Sequence, residues 1–188
     1  MKELKPAILF FVIFTVICGG IYPAVVTGVA MVAFPAKAKG SFLIDTSGKE
    51  VGSSLIGQPF SSPRYFWPRP SAATDFAYNA MGSGGSNSGP TNPDYLKTVG
   101  DRVKALRDTG ITGDVPADLV QASASGLDPH ISPEAARVQI ARVAKARGMS
   151  PEELDKLVAA ATSGRQLGFL GEPRVNVLEL NLALDGVK

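Results

Sequence analysis

One cysteine, one histidine and one tryptophan stand in 188 residues, and each scarcity closes off chemistry. Cys18 lies inside a long apolar run, so the remainder of the chain forms no disulfide and offers no thiolate to a metal. His130 has no second histidine or cysteine near it in sequence, which makes it a poor metal ligand and favours a packed or hydrogen-bonding role. An excess of one charge is lacking too. From Ser41 onward fifteen Lys and Arg face sixteen Asp and Glu, a balance that gives no support for nucleic-acid binding. No internal repeat is visible.

The strongest positive feature is the run from Ala7 to Phe34, about 28 residues without a charge. A helix crosses the hydrocarbon core of a bilayer with about 20 residues, so this run spans with tilt or reaches into the headgroups. A cleaved leader is the competing reading, since Lys2 and Lys5 precede the run and Ala36-Lys37-Ala38 has a small-x-small form. The apolar core of a leader is only about 7–15 residues, and the length here favours a retained anchor. Acylation at Cys18 is disfavoured by the bulky Ile17 before it and by the apolar sequence after it.

Lysines flank both ends of the run, and the short N-terminal tail with its free amine favours the inside for the amino terminus. The expected organisation is a cytoplasmic tail over residues 1–6, a transmembrane helix over 7–34 and one extracytoplasmic domain over 35–188. The fold class is α+β, one N-terminal transmembrane helix followed by a single mixed α/β domain. Within the span Gly20, Ala24 and Gly28 recur every four residues, with Thr15, Gly19 and Thr27 close by. Such a strip lets another helix approach closely in lipid. Pro23 removes one backbone donor and is expected to bend the helix unless a neighbour covers the freed carbonyl.

After the span, Ser41–Asp45 and Ser54–Phe60 read as strands around the turn Thr46-Ser47-Gly48. Pro93–Asp108 reads as a helix capped by Asn92, with Leu96, Val99, Val103 and Leu106 on one face and Gly110 past its end. Ser132-Pro133-Glu134 opens a helix that Gly148 stops, and Ser150 to Glu153 opens another with a capping box. Such a pair is compatible with a DNA-reading helix-turn-helix, in which Arg137, Arg142, Lys145 and Arg147 would meet phosphates. The charge balance favours the plainer reading, in which these cations form the solvated face of a helix that buries Val138, Ile140, Val143 and Ala144. Asn176 with Glu179 is expected to cap a last helix, although Leu178, Leu180, Leu182 and Leu184 alternate as a strand would.

Several stretches imitate catalytic motifs. Gly84 to Thr91 follows the phosphate-loop spacing, but Pro90 stands where a lysine is needed. Thr98-Val99-Gly100 begins like a potassium filter and then continues with Asp101 inside an expected helix. Asp108-Thr109-Gly110 lacks the lysine of a phosphorylated pump aspartate. Ser125, Asp128 and His130 are too close in sequence to assemble a hydrolase triad, and no glycine-flanked elbow accompanies them. A tethered regulator and an anchored serine hydrolase using Ser125 or Ser86 are therefore the rival readings.

The strings Tyr65 to Ala72, Ser83-Gly84-Gly85-Ser86-Asn87, Ser123 to Ser132, and Val175 to Leu178 followed by Asn181 to Asp185 stand in this order behind one span. Together they closely resemble the C subunit of the bacterial Kdp potassium-transporting ATPase, from the anchor to Asp185. The resemblance implies an accessory subunit with no turnover of its own, called a catalytic chaperone in the family. It also implies three partners besides the lipid bilayer: a channel-like potassium-binding subunit, a P-type ATPase subunit and a small membrane subunit. No nucleic acid is expected. ATP, Mg and K belong to the complex, and no catalytic residue, metal or cofactor is assigned to this chain. The expected helix-packing interface is Gly20, Ala24 and Gly28. The expected partner or loop surface is Arg69, Ser83, Gly84, Gly85, Ser86, Asn87, Asp128 and His130.

Overall fold

The computed structural model of the chain describes residues 3–45 and 47–186, and these fall into two units that part between Phe42 and Leu43. In the first unit α1 (Leu4–Val16), a π turn (Ile17–Ile21) and α2 (Tyr22–Ala33) run on as one helix. Its 30 residues are long and apolar enough to cross a membrane. A single turn, α3 (Pro35–Ala38), follows. The π turn is the local answer to Pro23, whose ring would strike the carbonyl four residues back in a regular helix. Here the Tyr22 N–H reaches five residues back to the Ile17 carbonyl, so the ladder widens just before the proline, at Gly19-Gly20.

The second unit opens with a two-stranded sheet of β1 (Phe42–Ile44), whose first residue closes the first unit, and β2 (Glu50–Ser53). The Asp45 carboxylate accepts from the Ser47 N–H and hydroxyl and from the Lys49 N–H, and the Asp45 N–H donates to the Lys49 carbonyl. That closure pairs the residues immediately after the turn. The second strand is therefore Glu50–Ser53 and not the expected Ser54–Phe60, which leaves the sheet. Thr46 of the expected turn lies outside the described residues.

A long irregular stretch with one 3-10 turn at Ala80–Gly82 leads to α4 (Pro93–Asp108). Asn92 caps it by accepting from the Asp94 and Tyr95 N–H groups, and Gly110 beyond its end has φ +95°. Leu106 is buried and Val99 and Val103 pack on the core, while Leu96 stays exposed. A second 3-10 turn (Ala117–Leu119) precedes β3 (His130–Ile131).

The helix expected from Ser132 to Gly148 is two helices, α5 (Pro133–Arg137) and α6 (Ile140–Arg147). The break has an identifiable cause. The Gln139 side-chain amide donates to the Ala135 carbonyl at 3.0 Å, and the Gln139 backbone N–H turns to Ala136 instead. Gly148 at φ +68° stops α6, and the Ser150 capping box opens α7 (Pro151–Ala160).

The chain then adds β4 (Thr162–Ser163), β5 (Arg174–Asn176) and α8 (Val177–Leu184). β5 is central and antiparallel to both neighbours, with Ile131 opposite Val175 in β3 and Thr162 opposite Val175 in β4. Asn176 ends the strand and caps α8 through the Glu179 N–H, so the alternating leucines are helical, with Leu178 and Leu180 both buried. Phe66, Val143, Leu154, Val158, Val175 and Leu180 are fully buried at the centre of this unit.

Candidate functional site

The segment Pro63–Trp67 runs through the unit without a strand beside it, and its backbone must still be satisfied. Two buried side-chain amides do this. Asn181 from α8 accepts from the Phe66 N–H at 2.8 Å and donates to the Phe66 carbonyl at 2.9 Å. Gln139 accepts from the Trp67 N–H at 2.7 Å and donates to the Trp67 carbonyl at 3.1 Å. Each amide stands in for one residue of a missing strand.

Two arginines of α6 complete the clamp. Arg142 donates to the Pro63 and Tyr65 carbonyls at 2.8 and 3.0 Å and to Gln139 Oε1 at 2.6 Å, with its guanidinium 3.9 Å from the Trp67 ring centre. Burial pushes its pKa down to about 10, so it stays charged at neutral pH. Arg147 donates to the Arg64 carbonyl at 2.6 Å and the Leu184 carbonyl at 3.1 Å, pairs with Asp185 at 2.7 Å and lies over the Tyr65 ring. The Tyr65 hydroxyl donates to the other Asp185 oxygen. This corrects the reading of the α6 cations as a solvated face. Lys145 is exposed and Arg137 makes an exposed pair with Asp155, but Arg142 and Arg147 serve the backbone of a distant segment. They are not available to nucleic-acid phosphates. Sequence reasoning missed Gln139, Arg142, Arg147 and Asn181, and the available signal was polar residues at helix positions that periodicity assigns to the core.

The remaining strings converge beyond Trp67. Arg69 pairs with Asp128 at 3.2 Å, and the other Asp128 oxygen accepts from the His130 N–H at 3.0 Å and lies 3.2 Å from His130 Nδ1. Half-burial pushes the Asp128 carboxyl up, but the hydrogen bonds from His130 and the Arg69 charge outweigh it and hold the group below the ordinary carboxylate value. Ser71 donates to the Gly126 carbonyl and accepts from the Tyr78 N–H, while the Tyr78 hydroxyl donates to the Arg69 carbonyl. Burial, with the Asp128 charge next in importance, raises the Tyr78 pKa.

Ser83 Oγ and the Gly84 N–H both donate to the Ser125 carbonyl at 2.9 Å. A Cβ at Gly126, which has φ +67°, would lie 2.6 Å from the Gly84 carbonyl, and one at Gly85 would lie 3.0 Å from the Ala124 carbonyl. The two strings therefore require glycine because their backbones touch. Ser86 and Asn87 are exposed, and Asn87 has φ +50°. The structure thus brings Arg69, Asp128 and His130 into one network and joins Ser83, Gly84 and Gly85 to residues 123–126.

The motif imitations behave accordingly. Gly84 to Thr91 is not followed directly by a helix, because α4 starts at Pro93, and Thr98-Val99-Gly100 lies within α4. Ser125 Oγ accepts from the Leu127 N–H and sits 3.4 Å from Ser123 Oγ, whereas Asp128 serves Arg69 and His130. Beside the network lies an apolar cleft of about 340 Å³, lined chiefly by Pro59, Phe60, Trp67, Pro68, Pro70 and Tyr78. Among the described residues no three His, Cys, Asp or Glu side chains cluster as a metal site would require. In the long apolar helix, Gly20 falls in the π turn and Ala24 and Gly28 one turn apart in α2, with open space around both glycines.

The profile of the family described as the K+-transporting ATPase, c chain, matches residues 4–186. The chain belongs to the KdpC family. It is 76% identical over 185 residues to the potassium-transporting ATPase KdpC subunit of Geotalea uraniireducens and 74% identical to that of Geobacter sulfurreducens, covering 98% of each chain in both cases. The KdpC subunit of Burkholderia vietnamiensis is 56% identical over all of this chain and 98% of its own length. The family match runs through both units, from residue 4 to residue 186. Neither the regulator nor the hydrolase reading gains support from these relatives.

Proposed function

We propose that this chain is a non-catalytic accessory subunit of a high-affinity, ATP-driven potassium uptake pump, held in the complex by its apolar helix. The match to the c chain of potassium-transporting ATPases over residues 4–186 carries the reading. In this proposal the strip Gly20, Ala24 and Gly28 docks on the channel-like potassium-binding subunit, because small side chains let helices approach closely where lipid offers no hydrophobic drive. Openness around both glycines is consistent with such an approach. The P-type ATPase subunit and the small membrane subunit are the other partners, and ATP, Mg and K are handled at the level of the complex.

The amino terminus lies in the cytoplasm and the second unit outside it, at the bacterial inner membrane. From there the subunit supports ATP hydrolysis through the assembly and contributes no turnover of its own. Internal use of Ser125, Asp128 and His130 supports the last point. The surface made by Arg69, Ser83 to Asn87, Asp128 and His130 faces or shapes the partner.

Replacing Gly20 and Gly28 with Leu is expected to release the subunit from the purified complex. Unchanged stoichiometry would defeat helix docking. Orientation is tested separately with Ser163→Cys in a Cys18→Ala background. Labelling by an impermeant thiol reagent in intact inner-membrane-exposed cells is expected, and protection until lysis would place the unit inside.

A further inference from the structure

Between β4 and β5 the chain makes a finger that the packing of the second unit does not use. Gln166 and Leu170 exchange both backbone hydrogen bonds at 2.9 Å, and Arg165 and Glu172 close the base with an ion pair at 2.6 Å. The tip is Leu167-Gly168-Phe169. Leu167 is 83% exposed, Phe169 68% and Leu170 48%, and no polar side chain stands between Gln166 and Glu172.

The backbone makes this exposure more notable. Leu167 and Gly168 have φ +53° and +81°, the pair of left-handed residues that tight hairpin turns take, and Asn or Asp with Gly is the usual choice there. A leucine at the first position is unfavourable for the turn itself, and at this exposure it buries little in return. Gly171, at φ +75°, fixes the returning arm. The finger is a preformed apolar tip, and preformed loops lose less freedom on binding.

We propose that this finger, Arg165 to Glu172, is a docking plug whose Leu167 and Phe169 enter an apolar recess on a neighbouring protein subunit of the potassium-transporting complex. The proposal rests on the accessory-subunit reading above. Charge favours protein over lipid as the occupant. The one cation on the finger is paired with Glu172, so the finger carries no net positive charge of its own to draw it to an anionic bilayer. Three side chains are too few to hold two proteins together unaided. On a chain already tethered beside its partner by a membrane helix, they act at high effective concentration.

In a Cys18→Ala background, Leu167→Cys is labelled with an environment-sensitive fluorophore and read in two settings, the full-length chain alone in nanodiscs and the purified complex. Blue-shifted emission with at least several-fold weaker iodide quenching is expected only in the complex. Equal, strongly quenched emission in both settings would overturn the proposal, and a blue shift in nanodiscs alone would assign the tip to lipid. As a second arm, Phe169→Asp is expected to lower co-purification several-fold while leaving the thermal melt of the full-length chain unchanged, and undiminished co-purification would count against the plug. The plug and the helix docking fail separately: a shielded finger in a complex whose stoichiometry ignores Gly20→Leu and Gly28→Leu removes only the helix reading.

Discussion

The long apolar helix near the amino terminus and the Pro63–Trp67 segment satisfy their backbones in opposite ways. Between Leu4 and Ala33 the chain bonds to itself a few residues away, and even Pro23 is accommodated locally by the π turn before it. Between Pro63 and Trp67 the Pro63 and Tyr65 carbonyls and both backbone groups of Phe66 and Trp67 are bonded by side chains 72 to 115 residues distant. The difference teaches where each region is vulnerable. The helix buries none of its side chains within this chain, so its fold rests on bonds made within a few residues. The segment is sensitive at four polar residues that a surface-oriented reading would treat as expendable.

The sharpest way to break this comparison is at Arg142. Truncation to alanine removes the donors to Pro63 and Tyr65 and leaves Gln139 Oε1 short of one partner. The expected loss is about 4 kcal/mol, because buried acceptors lose a charged donor and the Trp67 ring loses its cation. Thermal unfolding of the full-length chain in detergent, followed through Trp67 fluorescence, measures it. The exposed Lys145→Ala on the same helix is expected to change stability by less than about 0.5 kcal/mol. Equal effects at the two positions would restore the solvated-face reading.

Next comes Asn181→Leu, which keeps the branched outline of the side chain and orphans the Phe66 N–H and carbonyl in a buried setting. Two unpaired backbone groups are expected to cost about 3 kcal/mol, seen as a lower midpoint in the same unfolding assay. A neutral result would mean that Phe66 finds other partners and that the clamp does not depend on this amide.

The smallest effect is expected at Asp128. Its carboxyl is held below the ordinary value in the folded state, so the stability it contributes is present in full above the unfolded carboxylate pKa of about 3.9 and is lost as the pH falls through the lower folded value. The difference in melting temperature between the parent and Asp128→Asn is expected to shrink as the pH falls below about 4. A difference independent of pH down to acid unfolding would remove the charge pairing with Arg69 from the account.

The helix starts were legible because their signals are local. Asn92, Ser132, Ser150 and Asn176 each cap a helix through a backbone N–H two or three residues ahead, so the cap and its partner sit in one window of sequence. The break at Gln139 was not legible, since a glutamine within an apolar period gives no sign that its amide will take the Ala135 carbonyl and reach Trp67. Displacement of the second strand to Glu50–Ser53 was hidden for a similar reason. Those four residues carry little β preference, and the Asp45–Lys49 closure selects them.

Of the candidate site, the strings themselves were visible and their partners were not. Ser83-Gly84-Gly85 and Ser123 to Asp128 stand out as unusual runs, yet nothing in either run says that Gly84 bonds Ser125 or that Gly126 leaves room for Gly84. Arg142 and Arg147 look in sequence like Lys145, and only the fold separates them.

By itself the sequence determined the apolar helix near the amino terminus, the capped helices and the family, because each rests on patterns within a few turns or on strings that stay contiguous. The tertiary structure decided which arginines are buried, which amides replace a missing strand and which loop carries a bare apolar tip. Those outcomes depend on groups far apart in the chain whose desolvation is repaid only when the fold brings their partners within hydrogen-bond reach.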